Sequence, residues 1–340
     1  MSPEVPKPSP APSARAVAFR RARDGLLLAG CLVAVIVGLR LVPPRAAPAE
    51  AAAPAASSAP SPPAPTTAAR GTSAPPPTLE LTPRDCFFED RGLGDYVRAS
   101  TKSGAKVLAR GAAVGPDGAY DLVLHFHGAD PVARILAPEG KPVVIAALDR
   151  GDSSRDYQGA FPTAAAFDAL LAEIDGVVSS SLGRPARAAR VLLSSFSAGY
   201  RASHEILAAS PTHPSVTGVA LLDSLYASYR GGTREVDADA LAPFEAAGRR
   251  ALSEPRFAFI LTHSEVATDG YASTAEVATT LLDRLVVRSS LVKAGGERGL
   301  TRTAEERGFF VRGYGGADKG AHCAHLGLLP EVVDLWRGTK

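Results

Sequence analysis

Ser195-Phe196-Ser197-Ala198-Gly199 sets a serine among small neighbours, directly after the apolar run Arg190 to Ser194 and ahead of a helix-forming stretch. A serine hydroxyl is a weak nucleophile until a neighbouring base takes its proton, and that base must itself be oriented by a third group. Groups able to serve stand further along the chain: His322 and His325 in GGADKGAHCAHLGLL, Asp223 directly after VTGVALL, and Glu265 and Asp269 beyond Arg256 to Thr262. A second constellation, His125-Phe126-His127-Gly128, closes an earlier apolar run. Such a histidine pair can ligate a metal, so metal-dependent hydrolysis through His125 and His127 is an alternative chemistry. Against it, His127 is followed by Gly-Ala-Asp and the other histidines form no recognisable ligand set. No metal and no organic cofactor is expected.

These residues need elements to position them. Tyr120 to His127, Lys141 to Leu148, Arg190 to Ser194, Val216 to Leu222, Arg256 to Thr262 and Gly308 to Arg312 are short apolar runs of strand length. Helical patterns alternate with them: Ala164 to Val178, with Phe167, Leu170, Leu171 and Ile174 on one face, then about Ala198 to Ala208, Ser273 to Leu285, and Pro330 to Trp336. Arg230 to Arg250 reads as a helical excursion that could act as a small lid. The alternation predicts an α/β fold, a mostly parallel central sheet with helices on both faces. Ligands bind such sheets beyond the carboxyl ends of the strands, and Ser197, Asp223 and His127 all stand there.

Strand, Ser-Phe-Ser-Ala-Gly and helix together resemble the G-x-S-x-G nucleophile elbow of the α/β-hydrolase superfamily, with Ser195 in place of the first glycine. The resemblance covers roughly Asp121 to Trp336 and is that of serine esterases and lipases. It implies Ser197 as nucleophile, a late histidine as base, and an orienting carboxylate between them in chain order. His322 is preferred as the base, because it sits in the Gly-rich loop before the C-terminal helix, with His325 as the alternative. Asp223 is preferred as the acid, with Glu265 and Asp269 as alternatives, since most members draw the acid from the following strand. The resemblance also implies an oxyanion hole from the backbone N–H of Ala198 and from the loop around Gly128 and Ala129. His127, Tyr226 and Tyr271 are expected to line the substrate pocket.

The rest of the chain bounds the setting. Sixteen of the 28 prolines fall in the first 78 residues, so that stretch has little apolar surface with which to offset its ordering entropy. Within it, Gly25 to Leu39 carries no charge and follows Arg15, Arg20, Arg21 and Arg23. The expected organisation is a disordered cytoplasmic segment (1–24), a transmembrane signal anchor or signal peptide (25–42), a Pro/Ala-rich linker (43–78) and a hydrolase-like domain (79–340). Ala47-Pro48-Ala49 offers a cleavage-like site, and Leu28-Ala29-Gly30-Cys31 resembles a lipobox. Each of these readings exports the C-terminal domain, as a membrane-anchored, secreted or lipidated form. Cys86 and Cys323, near its two ends, could then pair as a disulfide.

A net charge of +2 with scattered basic residues excludes an electrostatic footprint for nucleic acid. The expected partners are a small-molecule or cell-envelope ester and the membrane. The expected activity is an extracytoplasmic serine hydrolase, by default a carboxylic ester hydrolase. Peptidase, amidase and acyltransferase chemistry use the same machinery, and a non-catalytic tethered binding domain is the remaining alternative.

Overall fold

The computed structural model describes residues 86–292 and 296–339. The expected segments 1–24, 25–42 and 43–78, with Cys31, lie outside the described residues. Among the described residues no helix is long and apolar enough to cross a membrane.

In chain order the elements are β1 (Val97–Ser100), β2 (Lys106–Ala109), β3 (Ala119–Phe126), α1 (Ala129–Leu136), β4 (Val144–Leu148), α2 (Ala164–Leu182), β5 (Arg187–Phe196), α3 (Tyr200–Ala209), β6 (Val216–Leu222), α4 (Ala242–Ser253), β7 (Ala258–His263), α5 (Thr274–Leu285), β8 (Ser290–Leu291), β9 (Leu300–Glu306), β10 (Phe309–Tyr314), α6 (Lys319–Ala324) and α7 (Leu329–Gly338). One sheet runs β1-β2-β4-β3-β5-β6-β7-β10-β9-β8. Its middle, from β4 to β10, is parallel. Antiparallel β1-β2 and β9-β8 complete its edges. This is the α/β-hydrolase fold. The direction of winding reverses between β3 and β5, and a crevice opens at the carboxyl ends of strands where such a reversal occurs. Phe126-His127 and Ser197 stand at that point.

Strands covered on both faces must be apolar on both faces, and these are. Leu122 and Leu124 of β3 and Val191 and Leu193 of β5 pack with Ile174 of α2, Ile206 of α3, Phe244 of α4 and Leu281 of α5. Val123, Leu192 and Ile260 face the opposite way, onto Val132 and Leu136 of α1 and Val333 and Trp336 of α7. Gly218 in β6 is required there, because a Cβ would stand 2.7 Å from the Trp336 ring. Thr163 caps α2, Gly183 ends it in the left-handed conformation, and Ser273 and Glu276 form a capping box at the start of α5.

Two expectations change. The excursion 230–250 is no lid: most of its helix is α4, whose Phe244, Ala247 and Ala251 are buried in the core. Their spacing is that of one apolar helix face. The histidine at 322 lies in a helix rather than a loop, since Asp318 caps α6 by accepting from the Ala321 N–H at 2.8 Å. Cys86 and Cys323 form a disulfide with Cα atoms 4.8 Å apart, tying the residue after His322 to the start of the described chain.

Candidate active site

The elbow is held by backbone sterics. Ser197 has φ 49°, a left-handed conformation uncommon outside glycine and persistent only where surroundings enforce it. Gly199 enforces it in part: a Cβ there would lie 2.1 Å from the Phe126 carbonyl oxygen, so only glycine lets the elbow press against the end of β3. Ser195, where the motif has glycine, is fully buried and its Oγ lies 3.0 Å from Ser224 Oγ. Ser224 donates its one proton to the Ser197 carbonyl at 2.8 Å, so Ser195 is the donor between the two serines. The departure from glycine thus fastens the elbow to the loop after β6.

Asp223 begins that loop, also with φ in the left-handed region (42°), and is 1 % exposed. Its Oδ1 accepts from the Ser264 N–H at 2.9 Å and from Thr274 Oγ1, and its Oδ2 accepts from Ser264 Oγ at 2.6 Å. His322 Nδ1 completes the set, 2.7 Å from Oδ2. Burial pushes the Asp223 carboxyl up, but His325, His322 and Ser264 outweigh it and hold the group well below the usual carboxylate range. An ionised Asp223 makes Nδ1 the protonated nitrogen of His322 and leaves Nε2 free to accept a proton. The His322 ring stacks on Phe196, the neighbour of Ser197, with centroids 4.5 Å apart. No hydrogen bond joins Ser197 Oγ to His322 among the described residues; such bonds are often long in unliganded sites and tighten when substrate binds.

The alternatives lie elsewhere. His325 is fully buried, 2.7 Å from Thr262 Oγ1 through Nδ1, edge-on to Tyr314, and without a partner on Nε2. Burial lowers its pKa to about 4, against the raising influence of Asp223. Glu265 and Asp269 are exposed in the loop after β7. What β7 and α5 bring to the site is Ser264 and Thr274, neither singled out from sequence. Ser264 follows a strand end directly, the signal that pointed to Asp223. Thr274 carried no such signal.

The loop after β3 departs from expectation. His127 (φ 75°) and Gly128 (φ 94°) turn the chain into α1 through two left-handed residues. The N–H groups of Gly128 and Ala129, expected to face an oxyanion, instead donate to the Asp149 carboxylate at 2.7 and 3.1 Å. The reason is local: Gly128, the N-cap of α1, has no side chain to offer, and Asp149 after β4 satisfies those donors. Ala198 lies in the first turn beyond Ser197 and on the cavity wall.

The histidine pair does not converge. His125 is fully buried, with Nδ1 2.9 Å from Ser194 Oγ and Nε2 donating to the His127 carbonyl at 2.8 Å. Both its nitrogens are engaged and burial lowers its pKa to about 4, so it braces the turn and is not available as a ligand. His127 Nδ1 lies 3.2 Å from both the Gly151 carbonyl and the Tyr157 hydroxyl. Among the described residues no group of His, Cys, Asp and Glu could hold a metal ion.

A cavity of about 560 Å³ opens beside Ser197 and Ala198, between residues 152–155 and Tyr200, Tyr226 and Tyr271. Of the three residues expected to meet substrate, Tyr226 and Tyr271 stand on its wall and His127 does not. Tyr226 donates to the Asp223 backbone carbonyl at 3.2 Å, tying the wall to the acid. A larger cavity, about 690 Å³, lies by Glu254, Gly308 and Gly338, at the amino ends of β7 and β10 and away from every residue above.

No protein-family model matches the chain, and no curated protein matches it in sequence. Among solved structures it is similar to an enterobactin esterase from Shigella flexneri at 17% identity and TM-score 0.45, covering 76% of this chain and 63% of that one. It is also similar to a poly(3-hydroxybutyrate) depolymerase from Bordetella parapertussis (15% identity, TM-score 0.38, 74% of this chain and 91% of that one). A third is an acetyl xylan esterase from Aspergillus awamori (12% identity, TM-score 0.37, 67% and 94%). The chain thus spans less than two thirds of the Shigella esterase.

Proposed function

We propose that this chain, an α/β-hydrolase by fold, is a serine hydrolase that cleaves carboxylic esters through an acyl-enzyme, with Ser197 as nucleophile, His322 as base and Asp223 as acid. The observation that carries the reading is the pair formed by buried Asp223 and half-buried His322, 2.7 Å apart, with the imidazole stacked on Phe196 beside a serine on a left-handed elbow.

The chemistry follows from those positions. Ser197 Oγ attacks the ester carbonyl while His322 Nε2 takes its proton. The imidazolium so formed is stabilised by Asp223, which stays ionised under its four donors. The Ala198 N–H supports the charge that develops on the carbonyl oxygen. His322 returns the proton to the departing alcohol, and water repeats the sequence to release the acid. Esters are favoured over amides because their alcohol leaves with less assistance. The disulfide Cys86–Cys323 supports an oxidising compartment, and together with the arginines ahead of residues 25–39 it supports export, with 25–42 as membrane anchor.

The test is covalent labelling with a fluorophosphonate. The wild-type chain is expected to take up one label and lose esterase activity, and Ser197→Ala to take up none. Undiminished labelling of Ser197→Ala would overturn the assignment.

A further inference from the structure

Among the described residues, the cavity beside Ser197 is lined by no Leu, Ile, Val, Met or Phe; apart from three tyrosine rings its apolar share is the methyl groups of Ala198 and Ala227. The rest is polar: Asp152 and Arg155 on one loop, with Ser153, Ser154 and Ser228. Neither Asp152 nor Arg155 makes an ion pair among the described residues. Tyr226 meets Tyr200 at 5.8 Å and 64°, and Tyr271 at 5.6 Å and 80°, so the rings turn edge to face and present surfaces in different directions. The Tyr271 side of the wall is open, with that residue 44 % exposed.

Each ligand class can be weighed against this wall. An alkyl or long acyl chain would strip water from Asp152, Arg155 and the serines and return no hydrogen bond, which disfavours it. A flat aryl group would suit the tyrosines and leave the same polar groups without partners. An anion would meet Asp152 and a cation Arg155, since the residues lining the cavity carry one charge of each sign, three positions apart. A neutral ring bearing hydroxyl groups meets all three demands. Its hydroxyls donate to Asp152 and accept from Arg155 and the serines, and its C–H face packs on the electron-rich faces of the tyrosines. The volume is in the range of small-ligand sites.

We propose that this cavity receives a neutral polyhydroxylated ring, so that the natural ester is borne on a sugar-like polyol rather than on a fatty chain or an aryl group; the proposal rests on the ester-hydrolase reading above. From the ring's position beside Ser197, Arg155 and Tyr271 act as specificity-determining residues that grip the polyol.

Three acetate esters differing only in their alcohol provide the test: an acetylated methyl glucoside, hexyl acetate and benzyl acetate. Binding of each is measured by calorimetry to the full chain carrying Ser197→Ala, which does not turn them over. The glucoside is expected to bind at least about tenfold more tightly than the other two. Adding Arg155→Gln or Tyr271→Ala is expected to weaken the glucoside by a similar factor and to change the binding of hexyl and benzyl acetate by less. In the wild type the same two changes are expected to raise KM for the glucoside more than they lower kcat. Tighter binding of hexyl or benzyl acetate, or no glucoside binding up to about 10 mM, overturns the proposal. The two readings fail separately: loss of fluorophosphonate labelling with glucoside binding retained sinks the hydrolase reading alone, and labelling without glucoside binding sinks only the polyol.

Discussion

Beneath Ser197 nearly every polar atom is committed, whereas along the cavity wall the commitments are local, Ser153 Oγ accepting from the Arg155 N–H and Tyr226 donating to the Asp223 carbonyl, beside charged side chains that make no ion pair among the described residues. Asp223 accepts from four donors, Ser195 and Ser224 chain the elbow to the neighbouring loop, and His125 spends both nitrogens on Ser194 and the His127 carbonyl. Exceptions include Nε2 of His263 and of His325 and, on α3, Ser203 Oγ and His204 Nδ1, which are buried with no partner. On the wall, Asp152, Arg155 and Tyr271 stand exposed. A site that must stabilise charge at one fixed place benefits from dipoles and charges that need not reorganise. A surface that must exchange water for ligand benefits from groups not yet satisfied. The floor therefore couples chemistry to stability, and the wall decouples recognition from both.

The largest effect expected from that contrast is at Asp223. Asp223→Asn keeps the size of the side chain, but it removes the charge that stabilises a protonated His322 and presents an NH₂ group that favours the wrong tautomer. A fall in kcat of roughly 10⁴-fold is expected, with KM little changed. Steady-state kinetics on a soluble acetate ester read this directly, and the melting temperature read beside it separates chemistry from folding. A loss of less than about tenfold would show that the saturated floor is structural, and that another carboxylate orients the base.

A smaller effect is expected from acid. His125 and His325 are held neutral by burial, each with a pKa of about 4 against an ordinary 6.5. Between those values the unfolded chain binds protons that the folded chain refuses, so stability falls as pH drops from about 6.5 to about 4, by roughly 3 kcal/mol per histidine. Asp223 has the opposite history. Its depressed pKa contributes stability that is fully present above the ordinary carboxylate value and is lost as pH falls below it. Denaturant melts across this range should therefore decline in two stages, histidines first. A flat profile down to about pH 4 would mean that these imidazoles protonate in place, and that the floor is as open to water as the wall.

What the sequence disclosed divides along the same line. Strand ends are legible because continuous apolar runs of strand length stop abruptly, so Ser197, Asp223 and His127 could be set at one edge of a sheet. Asp149, directly after β4, carried the same signal. Its effect on Gly128 and Ala129 was not legible, because it depends on a capless helix start twenty residues earlier in the chain. Thr274 reaches Asp223 from the first turn of a helix 51 residues away, and no local pattern announces that. The strands β1, β2, β8 and β9 were not read at all: β1, β2 and β8 are only two to four residues long, and β9 (LTRTAEE) is polar with a single buried residue, so none makes a continuous apolar run. The excursion 230–250 was misjudged by its polar first half, although Phe244, Ala247 and Ala251 already marked a core face. The disulfide followed from compartment logic only as a possibility, since pairing requires an approach that sequence does not encode.

The smallest expected effect tests the wall. Tyr271 is 44 % exposed, and its ring meets only the edge geometry of Tyr226, at 5.6 Å. The nearby hydrogen bond from Thr268 goes to the Tyr271 backbone carbonyl, which a side-chain truncation leaves in place. An aromatic pair of this kind contributes about 0.5–1.5 kcal/mol when well packed, and less where one ring is in water. Tyr271→Ala should therefore shift unfolding free energy by less than about 1 kcal/mol, within the ordinary range for surface substitutions. The asymmetry with Asp223 is the point of the measurement. If Tyr271→Ala destabilised the fold by more than about 2 kcal/mol, the wall would be carrying the fold as the floor does. The exposed tyrosine would then be a structural strut for the loop after β7, and its freedom to meet a ligand would have no physical basis.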